Sequence, residues 1–153
     1  MMDRKPIAAL ALSAVALIGI AVHEGYRGTA YDDGVGVQTI GFGSTKGVQA
    51  GDRITVERAL IRLADDVTEH ERGLRRCLSD VPLHQHEWDA AVQLAFNIGV
   101  SAFCNSTIVK RWRDGDYAGG CEAFLMWVKA GGRVLPGLVK RRQHERKVCL
   151  NEQ

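Results

Sequence analysis

Glu24, Asp33 and Thr39 are the residues here whose types and spacing could do chemistry. Breaking a glycosidic bond needs one carboxylic acid to protonate the leaving oxygen. It also needs a second carboxylate to activate water or to stabilise an oxocarbenium-like transition state. Glu24 follows an apolar helical stretch and precedes Gly25, a residue type that ends helices. It is therefore expected at a helix C-terminus, where the helix dipole disfavours a charged carboxylate and favours keeping the proton. Asp33 lies in the following turn, open to water. Thr39 lies on the strand beyond and offers a hydroxyl to orient that water. A glutamate at a helix end is by itself usually a solvated surface group, so the weight falls on the whole string.

The elements that must position these residues read as follows. Gly28 to Gly43 carries DDG and GVG turn signals and then VQTIGFG, the pattern of a small two- or three-stranded antiparallel sheet. Thr55 opens a long helix in which Val56, Leu60, Leu63, Val67 and Leu74 recur at helical spacing. His84 to Ile98 is a second helix, apolar around most of its circumference and so buried. Asn105 or Ser106 caps a short helix to Trp112, and Asp116 starts another that runs through Met126 and Trp127. Gly131 and Gly132 form a turn, and a last helix runs from about Pro136 to Leu150. The fold class expected is α+β: a mostly helical protein with a small antiparallel sheet in the N-terminal third and a helical C-terminal lobe.

The string HEGYRGTAYDDGVGVQTIGFG resembles the phage-type lysozymes, glycoside hydrolase family 24. Their pattern is Glu, eight residues, Asp, five residues, Thr, then Ile-Gly-x-Gly, matched here by Glu24, Asp33, Thr39 and Ile40 to Gly43. Tyr31 also fits. Further likeness lies in QLAFNIGVSAFCNST, Gln93 to Thr107, and in AGGRVLPGLVKRRQHE, Ala130 to Glu145. The resemblance implies a lysozyme-like fold and a muramidase. Such an enzyme cuts the β-1,4 bond between N-acetylmuramic acid and N-acetylglucosamine in peptidoglycan and lyses the host cell. It implies an inverting reaction with Glu24 as general acid and with Asp33 and Thr39 holding the water. The two carboxyl groups should then lie roughly 6.5–9.5 Å apart. By position it makes Phe96, Asn97 and Ser106 glycan-binding candidates, set against plain core packing for Phe96 and capping or loop hydrogen bonding for the other two. Thr45 departs from a cleft position that can carry a larger apolar side chain. Competing readings are a lytic transglycosylase acting on the same bond and a non-catalytic peptidoglycan-binding or membrane protein.

Arg4 and Lys5 precede Ile7 to Val22, sixteen residues without a charge. This run is short for a membrane span, which needs about twenty apolar residues, and it reads as a cleaved export signal, a permanent anchor, a transient anchor or a plain core helix. Cleavage just beyond it would remove or fray Glu24. The segment resembles the anchor of a signal-anchor-release endolysin. That implies a division into an anchor, 1–23, and a lysozyme domain, 24–153. The host export machinery would carry the chain to the inner membrane, tethered transiently through residues 7–22 and inactive. Release into the periplasm would activate it. No cysteine precedes Cys77, so a disulfide-exchange switch inside the anchor is unavailable.

Cys77, Cys104, Cys121 and Cys149 suit two disulfides in an oxidising compartment, with three connectivities open. Helix order favours Cys77 with Cys104 and Cys121 with Cys149. No CxxC or zinc-type histidine spacing is present, so neither metal nor cofactor is expected. Net charge is +2, which does not imply nucleic-acid binding. The basic run Arg133, Lys140, Arg141, Arg142, Arg146 and Lys147 reads as the solvated face of a terminal helix or as attraction to an anionic envelope. A monomer suits work along an insoluble polymer.

Overall fold

The computed structural model describes residues 2–152. The elements in chain order are α1 (Ala14–Glu24), β1 (Arg27–Asp32), β2 (Gln38–Gly41), α2 (Val56–Cys77), α3 (Gln85–Ile98), α4 (Val100–Cys104), α5 (Thr107–Arg113), α6 (Tyr117–Glu122), β3 (Lys129–Ala130), β4 (Arg133–Val134) and α7 (Pro136–Cys149). The α+β class and the small N-terminal sheet are as expected. Where the sequence predicts only a turn at Gly131 and Gly132, a second short hairpin forms, β3 pairing with β4. The helix begun by Asp116 ends at Glu122 and continues as a 3-10 turn, Ala123–Met126. Two compact units result: Met1–Ser13 with His70–Gln153, and Ala14–Glu69.

In the unit Ala14–Glu69, β1 and β2 pair antiparallel, with Tyr31 opposite Thr39 and a bulge between Arg27 and Tyr31. A bridge from Thr29 to Arg53 adds the edge of a third strand. Ala16, Ile20, Ile40, Phe42, Ala59, Leu63 and Val67 are buried. Thr55 Oγ1 accepts from Arg58 N at 3.3 Å and starts α2 as its sequence position predicts.

In the other unit, α3 is buried along nearly its whole length, and α7 packs on it. Phe103, Trp112 and Phe124 form an aromatic cluster with ring centroids 6.1–6.5 Å apart. Gly120 lies so close to Trp112 that a Cβ would stand 2.3 Å from the indole, so only glycine fits there. Cys77 bonds Cys104, and Cys121 bonds Cys149, the pairing that helix order favours. These loops span 27 and 28 residues. Replacing both cysteines of either bridge by alanine should lower the unfolding free energy by about 3–4 kcal/mol in the loop-entropy model. Denaturant titration reads this, and a loss below about 1 kcal/mol would contradict it.

The apolar N-terminal run is divided. Ile7–Ala9 is a 3-10 turn, Leu10 is extended, residues 11–13 belong to no helix, and the helix begins at Ala14. The break has a polar cause. Leu12 N donates to Glu71 Oε2 at 2.9 Å, and Ser13 N and Oγ donate to the two Asp89 oxygens at 2.9 and 2.7 Å. Those amides are thereby drawn away from helix carbonyls. Arg75 holds Leu10 O at 2.7 Å, and Arg4 clasps the buried Glu87 at 2.8 Å. Among the described residues no helix is long and apolar enough to cross a membrane.

Candidate active site

α1 ends at Glu24 because Gly25 takes φ +71 and donates to Ala21 O at 3.0 Å, the left-handed stop that its sequence position predicts. The glutamate is half-buried, with its carboxyl against Gly43. Asp33 leads the loop between β1 and β2. Its Oδ1 accepts from Val35 N at 3.0 Å and Val37 N at 3.1 Å, while its own N–H donates to Val37 O at 3.1 Å. Asp32 Oδ1 likewise accepts from Gly34 N and Gly36 N. The DDG signal is thus a pair of nested side-chain turns. Asp33 is exposed, and the turn occupies one of its oxygens twice over. Thr39 is buried on β2, where its hydroxyl donates to Val37 O at 3.4 Å. All three residues lie in the unit Ala14–Glu69.

Phe96, Asn97 and Ser106 lie in the other unit. Phe96 is half-buried against His70, ring centroids 4.9 Å apart. Asn97 is exposed, and its Oδ1 accepts from Arg142 Nη2 at 2.8 Å. Ser106 is the buried N-cap of α5, accepting from Val109 N at 3.4 Å. Thr45 is exposed. Among the described residues no cluster of His, Cys, Asp or Glu could hold a metal ion.

The solvated-face reading of the basic run holds at Arg133, Lys140 and Lys147 and needs correction at Arg142. Arg142 is 0% exposed and Glu145 1%. Arg142 Nε lies 2.9 Å from Glu145 Oε2, and Arg141 Nε lies 3.4 Å from Oε1. Burial is the dominant cause that pushes the Glu145 carboxyl up to about 7, against the opposing pull of Arg142 and Arg141. Burial also lowers the Arg142 guanidinium. The spacing of Arg141 and Arg142 to Glu145, four and three residues, is the signal the sequence offers for this cluster.

The family model described as phage lysozyme matches residues 21–145, which include Glu24, Asp33, Thr39, Phe96, Asn97 and Ser106. The chain belongs to the phage lysozyme family. This phage lysozyme is 41% identical over 139 residues to the endolysin of Acyrthosiphon pisum secondary endosymbiont phage 1, covering 88% of this chain and 94% of that one. It is 39% identical to the SAR-endolysin of Pseudomonas phage phiKMV over 150 residues, 95% of this chain and 92% of that one. Among solved structures, the endolysin from Escherichia coli O157:H7 phage FAHEc1 superposes with a TM-score of 0.84 at 34% identity, covering 94% and 95% of the two chains. This phage lysozyme is accordingly an enzyme, a muramidase of the endolysin type, whose substrate is peptidoglycan.

Proposed function

We propose that this muramidase hydrolyses the β-1,4 bond between N-acetylmuramic acid and N-acetylglucosamine by a single inverting displacement. Glu24 protonates the leaving oxygen, and Asp33 with Thr39 holds and activates the attacking water. One observation carries this reading. Glu24 closes α1 against the turn that follows β2, while β2 itself presents Thr39 and the loop before it presents Asp33. Asp33 Oδ1 is committed to the turn, so Oδ2 is the oxygen that would meet water. Thr39 uses its proton on Val37 and keeps its lone pairs for the water. On the glycan side, Phe96 and Asn97 retain exposed surface for sugar contacts. The Ser106 hydroxyl already accepts one bond, so it would serve a sugar as a donor.

The proposal extends to cellular placement. Residues 7–22 pass the export machinery, tether the chain transiently in the inner membrane, and leave it for the periplasm. Two observations support a helix suited to an apolar medium. Val15, Ile18 and Val22 are 80%, 62% and 75% exposed on α1, and the likeness to the phiKMV SAR-endolysin covers 95% of this chain. The sixteen residues 7–22 as one helix would reach about 24 Å. Forming it would undo the bonds of Leu12 and Ser13 to Glu71 and Asp89.

Mass spectrometry and NMR of the initial products test the chemistry. Hydrolysis adds one water per cut, and inversion yields the α-anomer first. An anhydro product would replace this reading with a lytic transglycosylase. Sequencing the exported protein's N-terminus tests the anchor, since a start between Val22 and Tyr26 excludes a retained segment.

A further inference from the structure

The turn Ile40 to Ser44 is closed by paired backbone hydrogen bonds, Ile40 N to Ser44 O at 2.9 Å and Ser44 N to Ile40 O at 3.0 Å. It is also fixed to α2 at both ends. A Cβ on Gly41 would stand 2.9 Å from the Cβ of Ala59, so the turn lies directly on the helix. Ser44 Oγ, buried, donates to Asp66 Oδ2 at 2.7 Å. The turn therefore has no room to retreat. On its other side, a Cβ on Gly43 would stand 2.9 Å from Glu24 Oε2 and 3.5 Å from Cδ.

We propose that Gly43 is a positioning residue for Glu24: the space left by its missing side chain is the seat of the carboxyl group. This rests on the reading of Glu24 as the general acid. Any side chain at this position presses on the carboxyl, because the backbone behind Gly43 is pinned and the Glu24 carboxyl is the end of a flexible side chain. A carboxyl displaced by roughly half an ångström or more misses the leaving oxygen, and misplacement on the 1 Å scale costs on the order of 100-fold in rate. Gly43 also takes φ +86, so backbone strain is a rival cause of any loss. The two causes rank substitutions differently. Alanine is strained at positive φ, and asparagine tolerates it better but is larger.

The test measures initial rates against peptidoglycan concentration, with melting temperatures, for Gly43→Ala, Gly43→Asn and Gly47→Ala. Gly47 takes φ +69, and a Cβ there would meet nothing within 4 Å, so its alanine variant carries strain alone. The expected result is a kcat loss of roughly tenfold for Gly43→Ala and more for Gly43→Asn, with KM changed little. Melting temperatures should rank the other way, and Gly47→Ala should keep its full rate. In a Glu24→Gln background Gly43→Ala should cost nothing further. Alanine slower than asparagine, or a full Gly43→Ala loss persisting without Glu24, overturns the proposal. A fully active Gly43→Ala beside an inactive Glu24→Gln removes the positioning role alone. A fully active Glu24→Gln removes the underlying reading of the acid.

Discussion

Glu24→Gln is expected to lower the rate of peptidoglycan hydrolysis by about 10²–10⁴-fold, with a melting temperature within a few degrees of wild type. The amide has the shape of the acid but no proton to give, so the leaving sugar would depart as an unprotonated alkoxide. Glu24 is the last residue of α1, and the helix stop is made by the Gly25 backbone, not by the carboxyl. Asp33→Asn should cost about 100-fold or more, for a different reason. The asparagine oxygen can still accept from Val35 and Val37, so the loop keeps its shape while the charge that draws a proton from water is gone. Turbidity loss of purified peptidoglycan reads both. Equal rates for wild type and Glu24→Gln would show that another group supplies the proton.

The helix stop at Glu24, the Thr55 start of α2 and the buried α3 were legible because each depends on residues within one turn of chain. The Glu–Asp–Thr order was legible for a related reason: one small sheet and one helix end carry all three. Other features depend on partners far away in sequence. Nothing near Leu12 announces that its amide will be taken by Glu71, or that Ser13 will meet Asp89, and so the apolar run reads as one helix. The basic run on α7 reads as solvated because charge normally faces water. Arg142 alone of that run is buried, because α7 packs over α3 with Asn97 at the end of that helix. Gly43 is visible in the sequence only as part of a turn motif, and the reason for the glycine is a carboxyl nineteen positions earlier.

That buried cluster yields the largest expected change in stability. Arg142→Ala should lower the unfolding free energy by about 3–5 kcal/mol at pH 8, because it strands Glu145 as a buried charge and opens a hole beneath α7. Replacing both partners by apolar residues of similar length, Arg142→Met with Glu145→Leu, should restore most of the loss or exceed wild type. The wild-type cluster is costly as built. Arg142 Nη1 is buried without a hydrogen-bond partner among the described residues. The pH dependence separates this account from simple packing. The Glu145 carboxyl is raised from 4.5 to about 7 in the folded chain, so folding favours its protonated form. Its contribution is therefore fully present below about pH 4.5, declines as pH rises to about 7, and stays lost above. On that basis wild type should lose on the order of 3 kcal/mol relative to the double variant between about pH 4.5 and 8. Denaturant titrations at several pH values measure the gap. A gap that stays flat with pH, or a double variant as unstable as Arg142→Ala, would show that the cluster stabilises the fold through its charges after all.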